Sequence, residues 1–324
     1  MDHSDLVVQP CRTVSPPMHA RARGWSVAVF ARNEGQSIAR CLEALANAAR
    51  GQDTHVTVLL NGTTDDSPER AAAALRATGF SGRIYTIDEG DKANAFNQFV
   101  HRLRPPAATY FFVDAYAAVA KDSLARLDGS LRAEPRALAA AAVPSTGRSA
   151  ASLRDRMARE PGVHGSLFAL RGSFLDRITA KGLHLPLGLY RGDGMVGAFV
   201  LHDLDAMGGG WRHERLAVDP GATWEAPSLR PWLWRDLMRH WRRLVQQGRG
   251  RLQTAAIRDL IYRAGFEALP DDADALALRW VAAAPGNRPR FWRDPLAAIA
   301  LVRMRHQRPR ADLTPRLLLE VRAP

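Results

Sequence analysis

Polar side chains that can bind hydroxyl and phosphate groups follow four apolar segments of this sequence. The segments are WSVAVFA (25–31), VTVLL (56–60), RIYTID (83–88) and TYFFVD, which ends at Asp114. The polar residues are Asn33 and Glu34 after the first, Asn61 to Asp66 after the second, Asp91 and Lys92 after the third, and Asp114 itself. Carboxylates and amides accept hydrogen bonds from hydroxyl and N–H groups, and a lysine contacts phosphate oxygens as a compact cation.

The elements between these polar residues decide whether they can meet. Apolar residues at helical spacing follow each of the first three segments, as in IARCLEALANAA (38–49). Such an alternation with short connections predicts an α/β fold with a mainly parallel sheet flanked by helices. Ligands of such sheets bind beyond the carboxyl ends of the strands. Each polar residue alone could be a helix N-cap, but four sets at one edge favour a shared binding site.

The character of the sequence changes twice along the chain. Residues 1–23 lack periodicity, which is typical of a loose tail. After residue 120 the alternation is less regular, although GSLFALRGSFLDRI (165–178) predicts a strand that leads into a helix. From Leu229 onward, tryptophans and arginines lie on an amphipathic helical pattern. We therefore predict a tail (1–23), a ligand-binding α/β domain (24–230) and a basic helical C-terminal extension (231–324).

The composition favours polyanionic partners. The chain has 324 residues, a formal net charge of +12 and a pI near 10.8, so an anionic membrane surface or a phosphorylated substrate is a candidate partner. A solvated arginine-rich surface explains the charge equally well. Nucleic-acid binding is disfavoured, because no helix-turn-helix, RRM or zinc-finger pattern is present. Two cysteines exclude a disulfide framework. The sequence shows no signal peptide or membrane span, so we expect a cytoplasmic protein with peripheral contact to the inner face of the membrane.

Four motifs, in order, resemble family 2 glycosyltransferases. VAVFARNEGQSIARCLEAL is similar to the family's first strand, its Pro-Ala-Tyr-Asn-Glu type turn and the helix that follows. VLLNGTTDDS is similar to its second turn, GDKANAFNQFV to its Gly-Lys-x-x-Ala-x-Asn segment, and YFFVDAYAAV to the strand that ends in its Asp-x-Asp motif. The resemblance covers residues 25–230 and implies a GT-A fold. It also implies inverting transfer of a sugar from a nucleotide-diphosphate-sugar donor to a hydroxyl acceptor, either a glycan or a lipid-linked molecule.

The resemblance assigns candidate donor-binding residues. Glu34 and Asp65 match positions that bind the base and ribose, and Asn61 is a weaker candidate for the same role. Lys92 would contact donor oxygens. Asp114 would bind ribose or a divalent metal, Mn²⁺ or Mg²⁺, that bridges the diphosphate.

The sequence departs from the family pattern at two of these motifs. Tyr116 replaces the last acid of the Asp-x-Asp motif, and a phenol is a poor ligand for a hard cation. Asp114 could therefore hold a metal together with substrate phosphates, or serve the ribose while arginines offset the diphosphate charge, or belong to a site that has lost catalysis. Leu60 stands where the family often has an acid, so the nucleoside cannot be chosen from sequence.

An inverting transferase also needs a general base to take the acceptor proton. Asp193, in LYRGDGMVGAF, matches the family's base position in part, because Gly192 precedes it instead of a glutamate. Its alternative role is to cap the helix that begins near Gly194. GDGMVG also fits a dinucleotide-binding pattern, but LPLGLYR is an unconvincing strand before it. We therefore expect a glycosyltransferase with Asp193 as base, and a degenerate, non-catalytic nucleotide-sugar or membrane-surface binding protein is the alternative.

Overall fold

The computed structural model describes residues 24–147, 150–227, 234–306 and 308–322, without the side chains of residues 234–240 and 242. The predicted tail at 1–23 lies outside these ranges. The strands are β1 (Trp25–Ala31), β2 (Thr54–Asn61), β3 (Ser81–Ile87), β4 (Thr109–Asp114), β5 (Ala118–Val119), β6 (Ala139–Pro144), β7 (Leu167–Arg171), β8 (Leu216–Glu225) and β9 (Arg316–Val321). The helices are α1 (Ile38–Ala48), α2 (Ser67–Ala77), α3 (Lys92–Gln98), α4 (Ser123–Ala133), α5 (Ala150–Arg159), α6 (Gly172–Ala180), α7 (Gly192–Leu201), α8 (Trp234–Ala264), α9 (Ala273–Ala283) and α10 (Pro295–Arg305).

The described strands form one sheet in the order β5-β8-β6-β7-β4-β1-β2-β3-β9. Its centre, β4-β1-β2-β3, is parallel, as the strand–helix alternation predicts. The registers align the carboxyl ends of these strands: Ala31 pairs with Leu60, Phe30 with Asp114, and Asn61 with Ile87. The sheet therefore presents its central polar turns at one edge.

Apolar side chains pack on both faces of the sheet because the central strands are buried on both sides. One core cluster contains Ile38, Leu42 and Leu75 from α1 and α2, packed with Val27 and Val58. The other core cluster joins Phe112 and Phe168 to the helices α3, α6, α7, α8, α9 and α10. The prediction of an α/β sheet flanked by helices is confirmed. Among the described residues, no helix combines the length and apolar character needed to cross a bilayer.

The C-terminal region differs from the predicted helical extension. Besides α8, α9 and α10, it contributes β9, which pairs antiparallel with β3 at the edge of the main sheet. The main sheet therefore continues past the predicted domain boundary at residue 230, because it includes β9. The sheet is also antiparallel at β7 and β9, where strands distant in sequence join its flanks. Short-range sequence patterns contain no signal for such pairings.

Two partly buried histidines make the stability of this fold dependent on pH. Burial, followed by the charge of Arg83, lowers the pKa of His55 below 6.5, and burial followed by His184 lowers that of His101. Below pH 6.5 these two histidines therefore bind protons more readily in the unfolded chain than in the folded chain. We expect the free energy of unfolding to be highest above pH 6.5 and to fall as the pH drops through the lowered folded values. Urea unfolding across this range measures the loss, and His55→Leu should flatten part of the slope, whereas an unchanged slope would contradict it.

Candidate active site

The turns that follow β1, β2 and β3 touch one another at the carboxyl edge of the sheet. Gly62 has a φ of 60°, and a Cβ there would lie 2.4 Å from Gly90 Cα, so these two turns pack backbone against backbone. Arg32 donates a hydrogen bond from Nη1 to the Gly90 carbonyl at 3.0 Å. The Asn33 side chain accepts one from the Thr64 N–H at 2.7 Å. These contacts bring the polar strand ends into one group.

A hydroxyl network positions the two acids predicted to bind the nucleoside. The Glu34 N–H donates to Ser67 Oγ at 2.8 Å, and the Ser37 hydroxyl donates to the Glu34 carboxylate at 2.7 Å. Asp65 accepts from Ser67 Oγ at 2.5 Å and from the Gly35 N–H at 3.1 Å. Ser67 therefore links the Glu34 backbone to the Asp65 carboxylate, which holds the two turns side by side.

The same network sets the charge of Asp65. Burial acts to raise the pKa of Asp65, but hydrogen bonds from Ser67 and from the Gly35 N–H outweigh it and hold that pKa below its ordinary value. Ser67 is a positioning residue that the sequence analysis missed. Its signal is weak, because an Asp-x-Ser-Pro segment is also an ordinary helix start.

Cys41 lies between this group and the Lys92–Asp114 side of the site. Its thiol is buried, and Sγ is 3.9 Å from the carbonyl oxygen of Asp114. Burial, followed by the charges of Asp114 and Glu34, raises the pKa of the Cys41 thiol. Both carboxylates therefore lie close enough to act on one sulfur atom, so the two halves of the predicted site are neighbours.

Asn61 lies at the same edge but points into the protein. It is 3% exposed, and its Nδ2 donates to the Ala31 carbonyl at 3.0 Å, which joins the ends of β1 and β2. Leu60, at the position where an acid is common in the resembling family, is buried in the core beside α1 and α2. A carboxylate at Leu60 would need a buried partner to be stable.

We expect Asn61→Leu to lower the free energy of unfolding by about 1–3 kcal/mol, because the buried Ala31 carbonyl loses its side-chain donor. Urea denaturation measures the change. The matched control is Gln52→Leu, an exposed amide replaced in the turn before β2, which should change stability by less than about 0.5 kcal/mol. Unchanged stability in Asn61→Leu would contradict this structural role.

Lys92, Asp114 and Asp193 converge on Gly165. Lys92 Nζ forms an ion pair with Asp114 Oδ1. A Cβ built on Gly165 would lie 2.9 Å from Lys92 Nζ, 3.2 Å from Asp114 Oδ2 and 3.5 Å from Asp193 Oδ2. The Gly165 N–H donates to Asp193 Oδ2 at 3.0 Å, and the Gly194 N–H donates to Oδ1 at 2.9 Å. Three residues from distant parts of the sequence therefore surround one backbone position that carries no side chain.

We expect Gly165→Ala to keep the fold but to weaken nucleotide binding by about tenfold, because the methyl group would push the flexible Lys92 side chain away from Asp114. Isothermal titration with UDP and GDP measures this loss. Gly162→Ala is the matched control, since a Cβ there meets nothing closer than 4.0 Å. Equal binding by the two variants would place the nucleotide away from this cluster.

Tyr116 cannot replace the acid that the Asp-x-Asp motif would supply. Burial, followed by the charge of Asp114, raises the pKa of Tyr116 well above its ordinary value, so the phenol stays protonated. Its hydroxyl lies 3.0 Å from Ser166 Oγ, with which it shares a hydrogen bond. Tyr116 therefore supports the wall of the site as a neutral side chain.

His164 belongs to the site, although its spacing in the sequence gives no signal. Its ring stacks on Trp224 with centroids 5.0 Å apart. Burial lowers the pKa of His164, while the nearby carboxylates of Asp193 and Asp114 oppose that shift. Arg243, which is exposed on α8, acts electrostatically on both His164 and Tyr116. The basic helix therefore contributes one positive charge that acts on these two side chains of the site.

The donor set for a divalent metal is incomplete in the protein itself. Among the residues that the structure describes, no group of three or more His, Cys, Asp or Glu side chains is placed to hold a metal ion. Asp114 is paired with Lys92, and Tyr116 is protonated. Mn²⁺ or Mg²⁺ at Asp114 would therefore need most of its oxygen ligands from the donor phosphates and water.

The C-terminal helices hold the loop that leads to Asp193. Asp91 caps α3 by accepting from the Ala93 N–H at 2.9 Å, and its other oxygen accepts from the Gly188 N–H at 2.6 Å. Gln253, which is buried on α8, donates to the Gly188 carbonyl and accepts from the Tyr190 N–H, both at 3.0 Å. Asp91 therefore joins the start of α3, where Lys92 lies, to the loop that precedes Asp193.

A second set of contacts comes from the segment before β9. Arg310 donates to Asp91 at 3.1 Å and pairs with Asp272, next to the start of α9. The Leu313 carbonyl accepts from Asn94 at 2.9 Å. The sequence analysis missed Arg310 and Gln253 because their partners lie far away in the chain. No local pattern marks them.

A parallel-centred sheet with carboxylates and a lysine at its strand ends fits the GT-A fold of nucleotide-diphospho-sugar transferases. Within that class, this chain belongs to Glycosyl transferase family 2, whose sequence profile matches residues 26–187, half of the chain. The resemblance seen in the sequence motifs is therefore confirmed. No sequence among the curated proteins matches this chain.

Solved structures with the same fold are distant in sequence. The mannosyltransferase PcManGT from Pyrobaculum calidifontis, in complex with GDP-Man and Mn²⁺, is 19% identical with a TM-score of 0.56, over 89% of this chain and 81% of that one. S. aureus TarS 1-349 is 14% identical with a TM-score of 0.51, over 87% and 80% of the two chains. At these identities the likeness establishes the fold.

Proposed function

We propose that this protein transfers a sugar from a nucleotide-diphosphate-sugar donor to an acceptor hydroxyl, with inversion at the sugar carbon. The observation that carries this proposal is the convergence of Lys92, Asp114 and Asp193 around Gly165. A cation, a donor-side acid and a separate carboxylate then surround the position where donor and acceptor would meet. Membership of Glycosyl transferase family 2 supports the reaction class.

The nucleoside would bind beside Glu34 and Asp65, whose carboxylates can accept hydrogen bonds from base N–H and ribose hydroxyl groups. Lys92 and Arg243 would offset the charge of the diphosphate, and Asp114 would contact the ribose or a divalent ion. Asn61 is a weaker candidate for nucleoside contact, since its amide already donates to Ala31. Mn²⁺ or Mg²⁺, when bound at Asp114, would neutralise phosphate charge further.

The transfer step requires one proton acceptor. The acceptor oxygen forms a bond to the anomeric carbon while the bond from that carbon to the diphosphate oxygen breaks, and the electron pair leaves with the diphosphate. The hydroxyl proton passes to Asp193, whose carboxylate is oriented by the N–H groups of Gly165 and Gly194. The alternative prediction, that Asp193 is the N-cap of a helix beginning near Gly194, is wrong, because α7 begins at Gly192 with Arg191 as its N-cap and Asp193 lies within the first turn.

The acceptor and the cellular location belong to the same proposal. A glycan or a lipid-linked hydroxyl is the acceptor class, at a cytoplasmic site with contact to the inner membrane face. The amphipathic pattern predicted from Leu229 onward supports this contact in part, because Trp241 is 44% exposed on α8. Trp232 and the side chains of Trp234 and Arg242 lie outside the described residues. Arg249, another arginine of this helix, is paired with Asp274 and is not available to a phosphate.

The second candidate function is nucleotide-sugar or membrane-surface binding without catalysis. Its specific support is Tyr116, a protonated phenol where the motif would have an acid, together with the buried Leu60. Such a protein would bind a donor but would not turn it over.

Thermal-shift screening against a panel of nucleotide-sugars, with and without Mn²⁺, tests donor binding first. A ligand at about 100 times its dissociation constant should add about 2.7 kcal/mol of stability. A hydrolysis assay with the nucleotide-sugar that binds then separates the two functions, because only a transferase should hydrolyse its donor slowly. Binding without hydrolysis under any metal would favour the non-catalytic protein, and no binding at all would contradict both.

A further inference from the structure

A rigid turn between α9 and α10 exposes two large aromatic side chains. Phe291 is 63% exposed and Trp292 is 78% exposed, the highest value given for a large apolar residue among those described. Burial of a tryptophan or phenylalanine side chain is strongly favourable in globular domains, because each removes a large apolar area from water.

The turn is fixed from both sides. On the α9 side, Asn287 donates to the Trp280 carbonyl at 2.8 Å. On the α10 side, Asp294 accepts from the Ala297 N–H at 2.9 Å and forms a bidentate ion pair with Arg251 of α8. Both ends of the turn that carries the two rings are therefore anchored to the helices.

Arginines surround the aromatic pair. Arg288, Arg290 and Arg293 are all exposed, and within the described residues none of them forms an ion pair. The acid in this turn, Asp294, is already paired with Arg251. The tip of the turn therefore combines two aromatic rings with three uncompensated positive charges.

We infer that the turn formed by residues 288–294 inserts into an anionic lipid bilayer. Aromatic rings are favoured at the depth of lipid headgroups, and arginines close to the surface attract anionic lipids. A projecting tip with this chemistry suits a fluid interface better than a protein partner, which needs a broad complementary surface. The inference is independent of the proposed sugar transfer, since none of these residues lies in the candidate active site.

The turn is linked to the site by one helical turn of α8. Gly248 allows the backbone of Leu296 to approach so closely that a Cβ would lie 2.5 Å from it, and Arg251 holds Asp294. Gly250, between them, packs against Tyr190 in the loop before Asp193. Insertion of the turn would therefore hold the candidate active site close to the membrane.

Co-sedimentation of the full chain with lipid vesicles tests the inference. We expect binding to vesicles of phosphatidylcholine mixed with phosphatidylglycerol, and weaker binding to phosphatidylcholine alone, by about fivefold for each contributing arginine. Phe291→Ser/Trp292→Ser should reduce binding to the anionic vesicles by at least about tenfold. Trp211→Ser, which removes a 53% exposed tryptophan elsewhere, is the matched control and should bind as the unaltered chain does.

Three results would overturn the inference. The first is no binding of the unaltered chain to anionic vesicles, and the second is equal binding by the double variant. The third is an oligomer of the unaltered chain in gel filtration without vesicles that the Phe291→Ser/Trp292→Ser variant does not form. That result would make the turn an interface between copies of the chain. Thermal melting of each variant confirms that a loss of binding is not a loss of fold.

Discussion

Asp193→Asn should reduce sugar transfer by about 10²–10⁴-fold, because an amide cannot take the acceptor proton. Donor binding should change little, since Glu34, Asp65 and Lys92 are left in place. The measurement is kcat and KM with the donor that the thermal-shift panel identifies, together with donor affinity by calorimetry. A drop in kcat with unchanged donor affinity is the pattern expected of a general base.

The control for this variant is Asp205→Asn. Asp205 also accepts hydrogen bonds from backbone N–H groups, those of Met207 and Gly208, at 3.1 and 2.8 Å. Both substitutions therefore remove a carboxylate that caps backbone, but only one lies beside Asp114 and Lys92. If Asp193 served only to accept hydrogen bonds from the Gly165 and Gly194 N–H groups, its variant would lose stability as the control does and keep its transfer rate.

Asp114→Asn should lower transfer by about 10²–10³-fold, in the range of losses seen when a single preorganised electrostatic partner is removed. The substitution removes the carboxylate that pairs with Lys92 and that would contact the ribose or the divalent ion. Transfer measured over a range of Mn²⁺ concentrations separates these roles. If Asp114 holds the ion, the variant should also need far more Mn²⁺ for its remaining activity.

A double substitution checks whether Asp114 acts only through Lys92. If the acid did no more than hold the lysine, Lys92→Met and Lys92→Met/Asp114→Asn would have the same rate. We expect the double variant to be slower than either single variant. Asp176→Asn serves as the control, because Asp176 is likewise paired with a cation, Arg104, on the exposed surface of α6. Normal transfer by Asp114→Asn would contradict its place in the site.

The central sheet and its polar edge could be predicted because their signals are local. Continuous apolar runs such as VTVLL mark buried parallel strands, and the polar residue that ends each run is visible in the sequence. The polar sets that contain Glu34, Asp65, Lys92 and Asp114 are visible in this way, and the structure brings them to one edge, whereas the roles of Glu34 and Asp65 came from the family resemblance. Asp193 required the family resemblance, since its segment alone predicts no more than a helix start.

Other parts of the site depend on contacts between residues far apart in the chain. His164 enters through stacking on Trp224, and Arg310 acts on Asp91 from 219 residues away. The ninth strand, RLLLEV, has exposed or partly exposed side chains, and its partner β3 lies far earlier in the chain, so no local pattern assigns it to the main sheet. The replacement of an acid by Tyr116 was visible, but its neutral, buried state depends on packing that the sequence does not display.

The position of β9 has a consequence for synthesis of the chain. Arg83 on β3 pairs with Glu320 on β9 across 237 residues, so the edge of β3 stays open until nearly all of the described chain has left the ribosome. An open strand edge is a template for unwanted pairing with other chains. Nascent chains of this protein should therefore pass through an aggregation-prone stage, during which chaperone binding at β3 would be most useful. Arg310 and Leu313, which contact Asp91 and Asn94 on either side of Lys92, directly precede β9, so the same part of the chain supports the Lys92 turn and covers the edge of β3.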